Sequence, residues 1–370
     1  MRSLALALIL CGTSLAACER PAAAPPGQGG DLRTRLDTYL AEQVRSRGIP
    51  GVTVAIARDG KVIYEGAAGV RSLATRETLT PRHVFHFASV SKPFAATAIM
   101  QLVERGKLKL DDKVTSVVPY FRLADAQSRE ITVRQILSHT SGMPDVRDYE
   151  WNRPQFDEGA AERYVRSMAT EKLLWPPGTR WQYSNMAFDA LADVVAKASG
   201  TSFESFIKTN VFEPLGMTVS SFIHPEIPAA LRTSGHVGKT AQVSNVYPYN
   251  RRHAPSSTLN SSVVEMTRWM LANLNRGELD GRRILQASTY DLLWAKTTKS
   301  GPDNFVGLSW FVRDRGGHRI VYHGGGDTGF RSYIMLLPDD GIGVVLASNW
   351  EGTLREVLIE QVLDMVLAHR

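Results

Sequence analysis

Three short motifs follow one another along the chain: Ser89-Val90-Ser91-Lys92, then Tyr183-Ser184-Asn185, then His323-Gly324-Gly325. They bring a serine hydroxyl, two groups able to move its proton, an amide and a glycine-lined stretch of backbone. That is equipment for acyl transfer to a serine without a Ser-His-Asp triad. A serine hydroxyl is a poor nucleophile until a base takes its proton, and a lysine with the ordinary pKa of about 10.4 cannot do so at neutral pH. Burial must lower it by about three units, roughly 4 kcal/mol. Tyr183 is the alternative base, its phenolate favoured by a charged Lys92. The two would titrate jointly, and the sequence leaves the choice between them open. Asn185 has the donor and acceptor needed to hold a substrate carbonyl and the lysine together. The backbone N–H of Gly326, beside that of Ser89, is a candidate oxyanion donor.

Context carries these assignments, because the chain holds a second Ser-x-x-Lys at Ser205/Lys208 and a second His-x-Gly at His236/Gly238. Ser89 sits where the extended stretch Val84–Ala88 gives way to a helix, with Pro93 suited to its first turn and Ala96, Ile99, Met100 and Val103 to an interior. Lys92 is one turn on, on the same face. Ser205 lies inside an amphipathic helix between Phe203 and Phe206/Ile207 and reads as structural. Tyr183-Ser184-Asn185 is the only Tyr-x-Asn in the chain and follows a Pro176-Pro177-Gly178-Thr179 turn. His323-Gly324-Gly325-Gly326 directly follows the strand Ile320–Tyr322, where glycines let a substrate backbone lie close. His139 reads as a loop-organising residue, and His83, His86 and His236 have no partner pattern. No spacing suggests a metal site, and no cofactor is expected.

The elements that must position these residues are legible in outline. Leu32, Leu36, Tyr39, Leu40 and Val44 recur at helical spacing. Val52, Val54 and Ile56 alternate with Thr53, Ala55 and Ala57, and Asp59-Gly60 turns the chain into Val62–Tyr64. From about 91 to 249 the pattern is mostly helical, with Lys92–Arg105, Glu162–Leu174, Asn185–Ser199 and Phe203–Thr209 the clearest pieces. Ser262-Val263-Val264-Glu265 is a capping-box pattern. Ile320–Tyr322, Tyr333–Leu337 and Ile342–Ala347 are strand-like, and Leu354–Ala368 closes the chain as a helix. The expected fold is α/β in the α+β sense: an antiparallel sheet from about 31–90 and 250–370, flanked by the first and last helices, with a helical insert at about 91–249.

Residues 1–17 read as an export signal, with Arg2, the apolar run Leu4–Leu10 and small residues near the cut. Leu15-Ala16-Ala17-Cys18 resembles a bacterial lipoprotein cleavage box, which predicts lipid on Cys18 and a flexible tether over 18–30. The catalytic body, 31–370, would then sit on a membrane facing the periplasm or extracytoplasmic space. The other of the 2 cysteines, Cys11, leaves with the signal, so no disulfide is expected. The net charge of +6 is spread without a long basic run, which argues against a nucleic-acid partner. Oligomeric state is not readable.

With the three motifs in order, the chain resembles the serine β-lactamase and penicillin-binding superfamily, in the branch of class C β-lactamases, D-alanyl-D-alanine carboxypeptidases, D-aminopeptidases and related esterases. Leu137-Ser138-His139-Thr140-Ser141-Gly142-Met143-Pro144, Pro177-Gly178-Thr179 and Phe212-Glu213-Pro214-Leu215-Gly216-Met217 look like further landmarks, so the similarity runs from about residue 31 to the end. The resemblance implies an acyl-enzyme on Ser89, Lys92 and Tyr183 as the acid/base pair, Asn185 as a substrate contact, and no cofactor. It also exposes a departure: Gly324 stands where those relatives carry a threonine whose hydroxyl helps bind a substrate carboxylate. Losing a charge-assisted hydrogen bond of about 1.5–3 kcal/mol weakens carboxylate-bearing substrates by roughly one to two orders of magnitude. The expectation is therefore an esterase or amidase acting on a small ester, amide or peptide. A wall-acting carboxypeptidase or weak β-lactamase comes second, and an inactive tethered binding protein third. His323, Arg251, Arg252 or Arg331 could replace the lost anchor, Arg331 being the first suspect.

Overall fold

The computed structural model describes residues 30–369. The expected export signal, the expected lipid site Cys18 and the expected tether up to residue 29 lie outside the described residues. Eight strands form one sheet: β1 (Gly51–Arg58), β2 (Lys61–Gly69), β3 (Thr298–Lys299), β4 (Phe305–Val306), β5 (Phe311–Arg315), β6 (His318–Asp327), β7 (Phe330–Leu337) and β8 (Ile342–Ser348). Their spatial order is β2-β1-β8-β7-β6-β5-β4-β3, antiparallel throughout, so the N-terminal hairpin zips onto the C-terminal strands through Val54↔Leu346 and its neighbours.

The alternation in β1 decides what each face receives. Val52, Val54 and Ile56 point to a layer made by α1 (Leu32–Arg47) and α6 (Arg355–Leu367), where Leu36, Leu40, Ile359, Val362 and Leu363 are buried. Each such side chain contributes about 1.5–3 kcal/mol on burial. The small residues Ala55 and Ala57 face the other way and make room for α5 (Val263–Leu274), which lies so close that a Cβ on Gly343 would come within 2.6 Å of the Met270 sulfur.

Between this face and the helical part runs α2 (Ser91–Glu104), buried at every residue from Ser91 to Leu102. Its sequence is apolar nearly all round, as a core helix must be. Phe94 stacks on Trp269 of α5 at 3.8 Å, and α2 packs also against α3 (Asn185–Ser199) and the short helix Ala254–Ser257. The start of α2 is thus held on three sides. α3 begins where its Ser184 cap accepts from the Ala187 N–H and ends at Gly200 in the left-handed region.

Four details differ from the sequence reading. The helix expected over Glu162–Leu174 spans Ala160–Ser167 with a 3-10 turn to Thr170, then leaves as a loop. Ser262 does cap α5, but the Glu265 carboxylate turns away to the Val219 N–H and the Ser220 hydroxyl, so a distant loop wins over the reciprocal half of the box. The helix Phe203–Ile207 (α4) continues into a wider π turn over Lys208–Phe212. Finally, the glycines after Tyr322 do not follow a strand but lie within one: β6 runs unbroken through His323–Gly326.

Candidate active site

Ser89 sits in the tight turn entering α2, directly after Ala88, whose φ of 48° is costly for a residue with a side chain. The turn is clamped: the Phe87 carbonyl accepts from the Val90 N–H and the Ser332 hydroxyl, the Ala88 carbonyl from the Ser91 hydroxyl, and Ser91 in turn accepts from the Leu259 N–H. Glycine at 325 follows from this geometry, since a Cβ there would lie 2.2 Å from both the Phe87 carbonyl and the Ser332 hydroxyl oxygen. β6 can approach the serine turn only without that side chain.

Lys92 is fully buried one turn into α2. Its Nζ lies 3.1 Å from Ser89 Oγ, 2.6 Å from Asn185 Oδ1 and 2.8 Å from the Ser256 carbonyl, a partner for each of an ammonium's three protons. Burial drives its pKa down to about 7, with the carboxylates of Asp189, Asp145 and Asp327 acting against it. A neutral amine keeps two protons. Asn185 and Ser256 are pure acceptors at these contacts and retain them, so the freed lone pair points at Ser89 Oγ.

Tyr183 stands on the other side, its ring 4.8 Å from Lys92 Nζ. Burial pushes its phenol well above the usual value, the hydrogen bond with Ser89 acting against this. His139 stacks on that ring at 4.3 Å and accepts the Ser184 N–H at Nδ1, so it fixes both ends of the tyrosine segment. Burial keeps His139 neutral. Asn185 is oriented by Asp145, whose carboxylate accepts from its backbone and side-chain amides at 2.8 and 3.0 Å.

His323 is buried and its imidazole, pushed by burial down to about 3, stays uncharged. Its Nδ1 lies 2.8 Å from the Gly324 carbonyl. β5 pairs with β6 only as far as Tyr322, so among the described residues His323–Asp327 has a strand neighbour on the β7 side alone. The other edge opens on a cleft of about 780 Å³ lined by Ser89, Tyr183, Asn185, His323, Gly324 and Gly326. Gly325 faces the serine turn instead and is not among the residues lining this cleft.

Of the three arginines singled out in the sequence, Arg331 alone lines this cleft. Its guanidinium donates to the Asp327 and Phe330 carbonyls at 2.9 and 2.7 Å. Arg251 is tied to Glu204 in a separate groove and Arg252 to Glu150. The sequence reading missed Arg355, the first residue of α6, whose Nη1 donates to the Gly325 carbonyl at 2.5 Å. It also missed Tyr149, Ser257 and Asp327, all on the cleft wall. His86 does have a partner, Asp327 at 3.3 Å, and His236 lies 2.7 Å from the Asn349 carbonyl. Among the described residues no group of three or more His, Cys, Asp or Glu is placed to hold a metal ion.

The sequence profile of the Beta-lactamase family matches residues 36–366. The chain belongs to that family. It is therefore a serine hydrolase of the β-lactamase superfamily. It is 30% identical to penicillin-binding protein 4 of Amycolatopsis lactamdurans over 81% of both chains, and 26% identical to protein flp of Staphylococcus aureus (strain COL) over 92% of this chain and 68% of that one. Among solved structures, the octameric penicillin-binding protein homologue from Pyrococcus abyssi superposes with a TM-score of 0.78 at 26% identity, covering 90% of this chain and 77% of that one. The β-lactamase/D-alanine carboxypeptidase from Pseudomonas syringae shares the fold at a TM-score of 0.76 and 21% identity, over 90% and 98% of the two chains.

Proposed function

We propose that the protein is an esterase or amidase that acylates Ser89, with Lys92 as the base. The observation that carries this is the Lys92 amine, with its three fixed partners and a pKa near 7. Lys92 takes the Ser89 proton as Oγ attacks the carbonyl, and the N–H groups of Ser89 and Gly326 receive the oxyanion. Tyr183, protonated, passes a proton to the leaving group. Water then attacks the acyl-enzyme, and the proton traffic runs in reverse.

An ester or amide without a carboxylate suits the third motif best. His323 brings no charge and Gly324 no hydroxyl, while Arg331 turns its Nη1 to the Asp327 and Phe330 carbonyls of its own loop. One observation favours a second reading, a D-alanyl-D-alanine carboxypeptidase or weak β-lactamase. A Cβ on Gly324 would meet Arg355 Nε at 3.2 Å, so a guanidinium occupies the neighbourhood of the missing threonine. The full set of Ser89, Lys92, Tyr183 and Asn185 supports turnover over a tethered binding role. The leader and Cys18 support an exported lipoprotein facing the periplasm or extracytoplasmic space.

Soluble protein beginning at residue 31, incubated with benzylpenicillin and followed by intact mass, separates the two readings. We expect no lasting adduct from protein that still cleaves a short-chain nitrophenyl ester. A stable adduct on wild type, absent from Ser89→Ala, would replace the esterase with the carboxypeptidase.

A further inference from the structure

Near Lys92, and not among the residues lining the cleft, lies a buried carboxylate that the mechanism above does not use. Asp189 is one turn beyond Asn185 on the same face of α3 and has no solvent exposure. Its Oδ2 lies 2.6 Å from Nδ1 of His253, which is equally buried, and among the described residues its Oδ1 has no hydrogen-bond partner. Burial pushes the Asp189 carboxyl above its usual range, opposed by His253 and by the nearby Ser256 hydroxyl, which itself donates to the His253 carbonyl.

The hydrogen bonds show where the shared proton sits. Arg252 Nε donates to His253 Nε2 at 3.0 Å, and a guanidinium has no lone pair to offer in return. Nε2 must therefore be the bare nitrogen and Nδ1 the protonated one, so His253 donates and Asp189 Oδ2 accepts. Arg252 is held for this task by Glu150 at 3.0 Å and by the Tyr164 ring.

We propose that Asp189 is a positioning residue for the Ser89 reaction: a fixed anion, locked by His253 and Arg252, that sets how readily Lys92 releases its proton. The proposal rests on Lys92 being the base. A neutral amine needs burial, but burial with no counter-charge would leave it too weakly basic to hold the serine proton. Other groups face Lys92. Asp145 and His139 reach it from the loop after Leu137, Tyr183 from the start of α3, and Asp327 and His323 from β6. Asp327 is engaged by Trp151, Ser257 and His86, and Asp145 by Asn185. The unengaged oxygen belongs to Asp189. Around Asp189 itself, Tyr149 and Tyr164 are held protonated by burial and add no charge.

The test is the rate of inactivation by a fluorophosphonate between pH 5 and 9, on the full-length protein and on Asp189→Asn. Wild type should show an acid limb near pH 7. In Asp189→Asn, whose amide oxygen still accepts from His253, the limb should move to lower pH by on the order of one unit. Asp193→Asn, one turn further along α3, should leave it in place. Asp189→Ser carries the same expectation if the amide is not tolerated. A limb unmoved or moved upward in a folded Asp189 variant overturns the proposal. A wild type with no acid limb near neutrality instead overturns Lys92 as the base.

Discussion

Ser-x-x-Lys occurs twice in this protein, and the two copies differ in everything but spacing. Ser89 and Lys92 stand at a strained entry to a helix buried from Ser91 to Leu102, and the lysine amine has three fixed partners. Ser205 and Lys208 are both exposed at the end of the short helix α4, where Ser205 engages its neighbour Ser202. An ammonium in water gives up nothing by staying charged, whereas one sealed from water loses its solvation and yields its proton near neutrality. In the proposed mechanism the surroundings make the base; the motif only places two side chains one turn apart.

Turnover should separate the copies most sharply. Lys92→Ala is expected to lower ester hydrolysis by several orders of magnitude, and Lys208→Ala to leave it within twofold, measured by initial rates on a nitrophenyl ester. Comparable losses in both variants, or full activity in Lys92→Ala, would remove the distinction.

A smaller effect should appear in stability. The Lys92 pKa falls from 10.5 unfolded to about 7 folded, so the unfolded state binds more protons between those values and wild-type stability rises with pH across that window. Lys92→Met removes the titration. Its stability relative to wild type should therefore fall by roughly 1.4 kcal/mol per pH unit between pH 7.5 and 9, read from urea midpoints. A flat difference for Lys92→Met would mean that the lysine is not desolvated as described.

What the sequence made legible is local. The Asp59-Gly60 hairpin, the alternation of β1 and the cap-to-cap span of α3 depend on residues a few positions apart, and all form as read. The first and third motifs could be found because order and neighbours set them apart from their second copies, and the second because Tyr-x-Asn occurs once. The remainder depends on chain closure. Ser256 meets Lys92 across 164 residues and His253 meets Asp189 across 64, with no local signal at either end. Arg355 is an unremarkable first residue of a helix until β6 is laid beside it. Glycines 324–326 read as a loop by propensity, yet pairing with β7 and the closeness of Phe87 make them a strand.

The most direct test of the account is intact mass after a brief exposure to a fluorophosphonate at pH 8. Wild type and Ser205→Ala should each gain one adduct, and Ser89→Ala none. An adduct persisting on Ser89→Ala, or no adduct on folded wild type, would contradict Ser89 as the nucleophile that its buried lysine activates.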